Sequence, residues 1–98
     1  MEYRQLGRSG LKVSVLTMGT MTFGGKGVLA KVGDVSLDEV RRLIDIVAEA
    51  GVNMIDTANV YSSGRSEEMI GEAMPTRKPG MLIATKARFP MGSGPNDG

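Results

Sequence analysis

Residues 51–61 read GVNMIDTANVY. A glycine opens the stretch, an apolar run of Val52, Met54 and Ile55 follows, and the run stops on Asp56. Small polar residues then lead to Tyr61. This is the pattern of a short buried strand that delivers a carboxylate at its C-terminal end, with a phenol on the loop beyond. A second apolar run, MLIAT at residues 81–85, ends in the same way on Lys86. Two strand ends of opposite charge, with a tyrosine between them in sequence, read as one catalytic face.

The segments on either side have helical periodicity. Ser36-Leu37-Asp38-Glu39 has the form of a capping box, in which Ser36 accepts from the Glu39 amide and the Glu39 side chain reaches back. Val35 and Val40 are spaced as a hydrophobic staple. Val40, Leu43, Ile44 and Val47 share one apolar face, and Asp38–Arg42 and Arg41–Asp45 are opposite charges four apart on the other. Gly51 sits where a left-handed C-terminal cap belongs. After Tyr61, residues 62–65 (SSGR) read as a turn. Ser66 is the expected N-cap of a second helix, with Glu67 and Glu68 in its first turn. Met69, Ile70, Ala73 and Met74 form its apolar face, and Pro75 ends it.

Upstream, residues 3–6 and 11–13 flank Gly7-Arg8-Ser9-Gly10 and predict a β-hairpin over about 3–13. Residues 13–18 predict a strand ending at Gly19. The Gly-rich stretch 19–33 does not match a Walker phosphate loop. Aligning on Gly25-Lys26 puts Thr20 at the first required glycine and Gly27 at the required hydroxyl. It reads as a loop over a strand end. Residues 87–98, with Pro90 and Pro95, read as a loop tail.

The predicted order is a hairpin followed by β-α-β-α-β, an α/β arrangement with parallel strands. Gly19, Asp56 and Lys86 each end a strand and therefore share one rim, where α/β folds build their sites. Neighbouring strands lie ~4.8 Å apart, so Asp56 and Lys86 can meet as an ion pair. Tyr61, five residues beyond Asp56, lies within ~18 Å of it or folds back over the pair.

Composition narrows the chemistry. The 98 residues are 41% hydrophobic and 23% charged, as in an ordered domain. A net charge of +1 without a basic cluster, and 4% aromatic residues, argue against a nucleic-acid surface. The absence of Cys and His removes thiol nucleophiles, an imidazole base and the usual zinc ligands, so no metal site is expected. No apolar run approaches the ~18 residues of a membrane span, and no signal-peptide core opens the chain, so a cytoplasmic protein is expected. The eight Met read as core filler.

A phenol is a poor acid at neutral pH, since its ordinary pKa is ~10. An ammonium ~4 Å away stabilises the phenolate by ~4 kcal/mol at an effective dielectric of ~20. An aspartate paired with that ammonium keeps it charged and placed. The phenol can then donate to a carbonyl oxygen on which negative charge is developing. The electrons must come from a hydride-donating cofactor, because no side chain here is redox active. Plainer explanations exist for each residue: Asp is frequent in turns, Lys at strand ends is usually a surface charge, and loop tyrosines often pack on apolar neighbours.

Taken together, Asp56-Thr57-Ala58, Tyr61, Ser66-Glu67 and Lys86, within GVNMIDTANVYSSGRSEEMIGEAM and the later LIATK, resemble the signature of the aldo-keto reductases. The opening YRQLGRSGLKVSVLTMGTMTFGG is similar to that family's N-terminal hairpin and first barrel strand. The resemblance implies a (β/α)8 TIM barrel, of which this chain would be the N-terminal part, with barrel units over about 13–86. It implies an NADPH-dependent oxidoreductase that reduces aldehydes or ketones. Tyr61 would be the proton donor, Lys86 the ammonium that eases loss of its proton, and Asp56 the partner of Lys86 near the nicotinamide. Gly19, Thr20 and Met21 would border the cofactor. A barrel takes ~250 residues, and the family's catalytic His and most of its nucleotide contacts have no counterpart here. An incomplete piece, with little activity alone, is therefore expected. Its partners would be a small carbonyl substrate and either a complementary C-terminal fragment or a second copy. The alternative is a non-catalytic barrel fragment, or a nucleotide-sensing assembly module like the family's channel-associated members.

Overall fold

The computed structural model describes residues 1–25, 35–76 and 78–98. The element order is β1 (Tyr3–Gln5), β2 (Lys12–Ser14), β3 (Met18–Gly19), α1 (Leu37–Glu49), β4 (Met54–Asp56), α2 (Arg65–Ala73) and β5 (Leu82–Ala84). β1 and β2 form an antiparallel hairpin, with Tyr3 opposite Ser14. β3, β4 and β5 form a parallel sheet in that order. Met18 pairs with Ile55, and Ile55 with Ile83. The predicted hairpin and β-α-β-α-β order are present. The loop expected over 19–33 is described as far as Gly25, and Lys26, Gly27 and the rest of it lie outside the described residues.

The strands are shorter than the apolar runs suggest. The run 52–56 contributes only Met54–Asp56 to the ladder, and 81–85 only Leu82–Ala84. The single strand expected over 13–18 is split. Its first residues belong to the hairpin, and only Met18–Gly19 join the parallel sheet. Ser14 causes the break: its hydroxyl donates to the Leu16 carbonyl at 2.6 Å, a local bond that competes with a continuous ladder. Val15 and Leu16 are consequently exposed rather than buried on both faces.

Helix α1 follows the sequence closely at its ends. Ser36 caps it, accepting from the Glu39 amide at 3.3 Å. The reciprocal half of the capping box is not made, because the Glu39 carboxylate takes a bidentate bond from Arg42 at 2.7 and 2.9 Å. The expected four-apart charge pairs are replaced by three-apart pairs, Asp38–Arg41 and Glu39–Arg42, and Asp45 binds Lys78 instead. At the other end Gly51 (φ +89°) donates to the Ala48 carbonyl and Val52 to Val47, a Schellman motif that satisfies two orphan carbonyls. The hairpin docks on this end, with the Tyr3 hydroxyl donating to the Gly51 carbonyl at 2.6 Å. Asn53 completes the dock by accepting from the Ser14 amide and donating to the Lys12 carbonyl.

Both helices pack on one face of the sheet. Phe23, Val40, Ile44, Ile55, Met69, Ile70 and Met81 form the buried core, with Val35, Leu43, Ala73 and Met74 packed against it. Ile83, in register with the buried Ile55 and on the same face, is 51% exposed. The cover over β4 does not extend to β5.

Ser66 departs from expectation. Helix α2 is capped by Gly64 (φ +93°), and Ser66 lies inside the helix with its side chain fully buried. Its hydroxyl sits 2.9 Å from the Thr20 carbonyl, to which it can donate, and 3.2 Å from the Thr57 hydroxyl. Thr20 is itself buried and donates to the Asp56 carbonyl at 3.1 Å. Three buried hydroxyls thus pin the loop after β3, the end of β4 and the start of α2 together. Ser66→Ala leaves the buried Thr57 hydroxyl without a partner where water does not reach, while the Thr20 carbonyl keeps the Phe23 amide. A loss of about 1–3 kcal/mol is expected in urea denaturation, whereas Ser63→Ala, on an exposed side chain, gives no comparable loss.

Candidate active site

The rim is built by register. Asp56 is the last residue of β4 and lies opposite Ala84 in β5. Side chains alternate along a strand, so Lys86, two residues beyond Ala84, returns to the face of Asp56. The pairing continues past the strand ends, with the Thr57 amide donating to the Ala84 carbonyl at 2.8 Å and the Asn59 amide to the Lys86 carbonyl at 3.0 Å. Lys86 Nζ then donates to Asp56 Oδ2 at 2.7 Å and to the Thr57 carbonyl at 2.8 Å. The predicted ion pair is formed. It is partly solvated, with side-chain exposures of 49% for Lys86 and 38% for Asp56.

Tyr61 folds back over the pair. Lys86 Nζ lies 5.2 Å from the centroid of its ring. The chain reverses through a 3-10 turn, Tyr61–Gly64, in which Ser62 (φ 48°) and Ser63 (φ 54°) both adopt the left-handed conformation. A non-glycine residue held there costs ~1–3 kcal/mol, so the surrounding packing must over-determine the turn. That packing is visible at Gly24, where a Cβ would approach the Ser62 Cβ to 2.6 Å.

The Lys86 ammonium is held above the ordinary lysine value, chiefly by its hydrogen bond to Asp56; desolvation opposes the shift and the Asp56 and Tyr61 charges add to it. The group is therefore a fixed cation at neutral pH. Beside it, Ala58, Val60, Tyr61, Arg88 and Phe89 line a cavity of about 170 Å³.

The other sequence candidates occupy distinct positions. Gly19 and Met21 are exposed at the rim, with open space where a Gly19 side chain would be. The Thr20 side chain is wholly buried in the hydroxyl network beneath. Sequence reasoning missed Thr57, whose carbonyl is the second acceptor for Lys86. A backbone acceptor leaves no compositional signal. It also missed Thr85, whose hydroxyl donates to Glu67. Among the described residues no three His, Cys, Asp or Glu side chains cluster as metal ligands.

Residues 15–98 match the model of the aldo/keto reductase family. Two proteins named "Probable voltage-gated potassium channel subunit beta" are similar: one from Oryza sativa subsp. japonica is 41% identical over 99% of this chain, and one from Arabidopsis thaliana 39% over 99%. The chain spans about 28% of the length of each. The structure of aldo-keto reductase AKR11C1 from Bacillus halodurans, in its holo form, superposes with a TM-score of 0.72 at 37% identity, over 95% of this chain and 28% of that one. Such neighbours are (β/α)8 barrels, and the parallel β-α-β units described above correspond to part of one. The chain belongs to the aldo/keto reductase family of oxidoreductases.

Proposed function

We propose that this chain supplies the proton-transfer corner of an NADPH-dependent reductase acting on small aldehydes or ketones. The observation that supports this most is the meeting of Asp56, Lys86 and Tyr61 at one rim beside an apolar cavity. Tyr61 donates its proton to the substrate carbonyl oxygen as negative charge develops there. Lys86, anchored by Asp56 and the Thr57 carbonyl, stabilises the phenolate left behind. Asp56 keeps the ammonium charged and aimed.

A nicotinamide cofactor, when bound, supplies the hydride. The family generally uses NAD(P)H. The cavity of about 170 Å³ is smaller than the ~300 Å³ at which ligand pockets begin. The described residues therefore fit one end of a dinucleotide and not the whole. On this reading Gly19, Met21 and Asp56, which lie at the same rim outside the lining of that cavity, border the cofactor, with Thr20 holding the loop beneath them. The remaining contacts belong to a further portion of the barrel.

Such a portion also has a surface to meet. β3 and β5 are the edge strands of the parallel sheet, and Leu16, Ile83 and Phe89 are 63%, 51% and 61% exposed. Open edges and uncovered apolar side chains favour docking of a complementary C-terminal fragment, or a second copy. A cytoplasmic setting suits a cysteine-free chain. No helix among the described residues is long and apolar enough to cross a membrane. A second reading, a nucleotide-sensing assembly module without turnover, is favoured by the channel-subunit names of the two curated relatives.

The test follows NADPH absorbance with a small aldehyde, using the chain alone and mixed with the complementary C-terminal portion of a related aldo-keto reductase. Little turnover is expected from the chain alone, turnover from the mixture, and a loss of at least ~10²-fold for Tyr61→Phe in the mixture. Robust reduction by the isolated chain, or an unimpaired Tyr61→Phe, contradicts the proposal. NADPH binding by the mixture without turnover favours the assembly module.

A further inference from the structure

Two consecutive residues in the first turn of α2 hold the strand ends that carry the ion pair. Ser66 turns inward to the Thr57 hydroxyl at 3.2 Å, and the Thr57 carbonyl accepts from Lys86 Nζ at 2.8 Å. Glu67 turns toward β5, where its carboxylate accepts from the hydroxyl of Thr85, the residue immediately before Lys86. Successive helical residues point ~100° apart, so a single turn can serve both strands. The need for such a device is plain from the site. Lys86 lies beyond the last ladder residue of β5, and its side chain is 49% exposed. A partly exposed Lys–Asp pair fixes geometry weakly by itself. On the β4 side the Asn59 amide holds the Lys86 carbonyl at 3.0 Å, and on the helix side the Thr85 hydroxyl is the tie to α2.

We infer that Glu67 and Thr85 are positioning residues, and that the bond between them fixes the segment presenting the Lys86 ammonium to Asp56 and Tyr61. Glu67 thereby acquires a task beyond complementing the helix dipole. Its carboxylate couples the start of α2 to the end of β5, while Ser66 couples the same turn to the end of β4. Any consequence for turnover rests on the proposed role of Lys86, but the clamp itself does not.

The clamp can be read without turnover, by NMR on the chain. Two signals report it: exchange of the Asn59 amide, which is bonded to the Lys86 carbonyl, and the Lys86 13Cε titration, assigned by its loss in Lys86→Met. Thr85→Val removes the bond with no change of charge, at an exposed position. It should speed Asn59 exchange roughly fivefold, the weight of one ordinary hydrogen bond. The Lys86 midpoint should shift downward toward the ordinary lysine value, because contact with Asp56 is what raises it. Amides in α1 should keep wild-type rates. Glu67→Ala should speed Asn59 exchange as Thr85→Val does, whereas Glu67→Gln, whose amide oxygen still accepts from Thr85, should keep the wild-type rate. Unchanged Asn59 exchange and Lys86 titration in Thr85→Val overturns the inference, as does a Glu67→Gln protein that exchanges like Glu67→Ala. If the clamp behaves as stated but Lys86→Met retains full reductase activity in the reconstituted mixture, the reading of Lys86 fails and the clamp stands.

Discussion

The parallel pairing of β4 with β5 is the constraint on which the rest of the molecule depends. With Asp56 opposite Ala84, the ladder sends Lys86 back to the face of Asp56 one strand-spacing away. A slip of one residue would turn Lys86 to the other face and remove the ion pair. The register is held from both sides: Ile55 is buried under the two helices, and Leu82 donates to the Asn53 carbonyl at 2.7 Å where the ladder begins. Burial of a few apolar side chains thus decides where a solvated cation sits.

The second level of organisation is polar. Thr20, Thr57 and Ser66 are buried hydroxyls that join the loop after β3 to the end of β4 and the start of α2. Above them lies the partly solvated set, Asp56, Lys86 and Tyr61. The division is economical in physical terms. Hydrogen bonds that fix position are strongest and most specific where water is excluded, whereas groups with the proposed proton-transfer role need access to a substrate. The left-handed turn at Ser62 and Ser63 belongs to the same design, since it carries Tyr61 back over Lys86 at the expense of local strain.

Much of this was legible in the sequence, and for physical reasons. Strand ends, a serine cap and a C-terminal glycine are local signals, and they located β4, α1 and the rim correctly. Ser36 and Gly51 do what their neighbours predict. Long-range demands produced the departures. Ser66 has the composition of an N-cap, but a buried hydroxyl network claims it and Gly64 takes the cap. Glu39 prefers a bidentate arginine to its own capping box. The run at residues 13–18 looks like one strand, yet the Ser14 side chain bends it between two sheets. The Thr57 carbonyl could not have been found by residue type, because every residue carries one.

The central claim is that the register of β4 against β5 brings the carboxylate and the ammonium to one rim. Its most direct test is a through-hydrogen-bond NMR correlation experiment on the 15N,13C-labelled chain. The account predicts a cross-peak from the Thr57 amide nitrogen to the Ala84 carbonyl carbon and another from the Asn59 nitrogen to the Lys86 carbonyl carbon. Correlations displaced by one or more residues along either strand would contradict it.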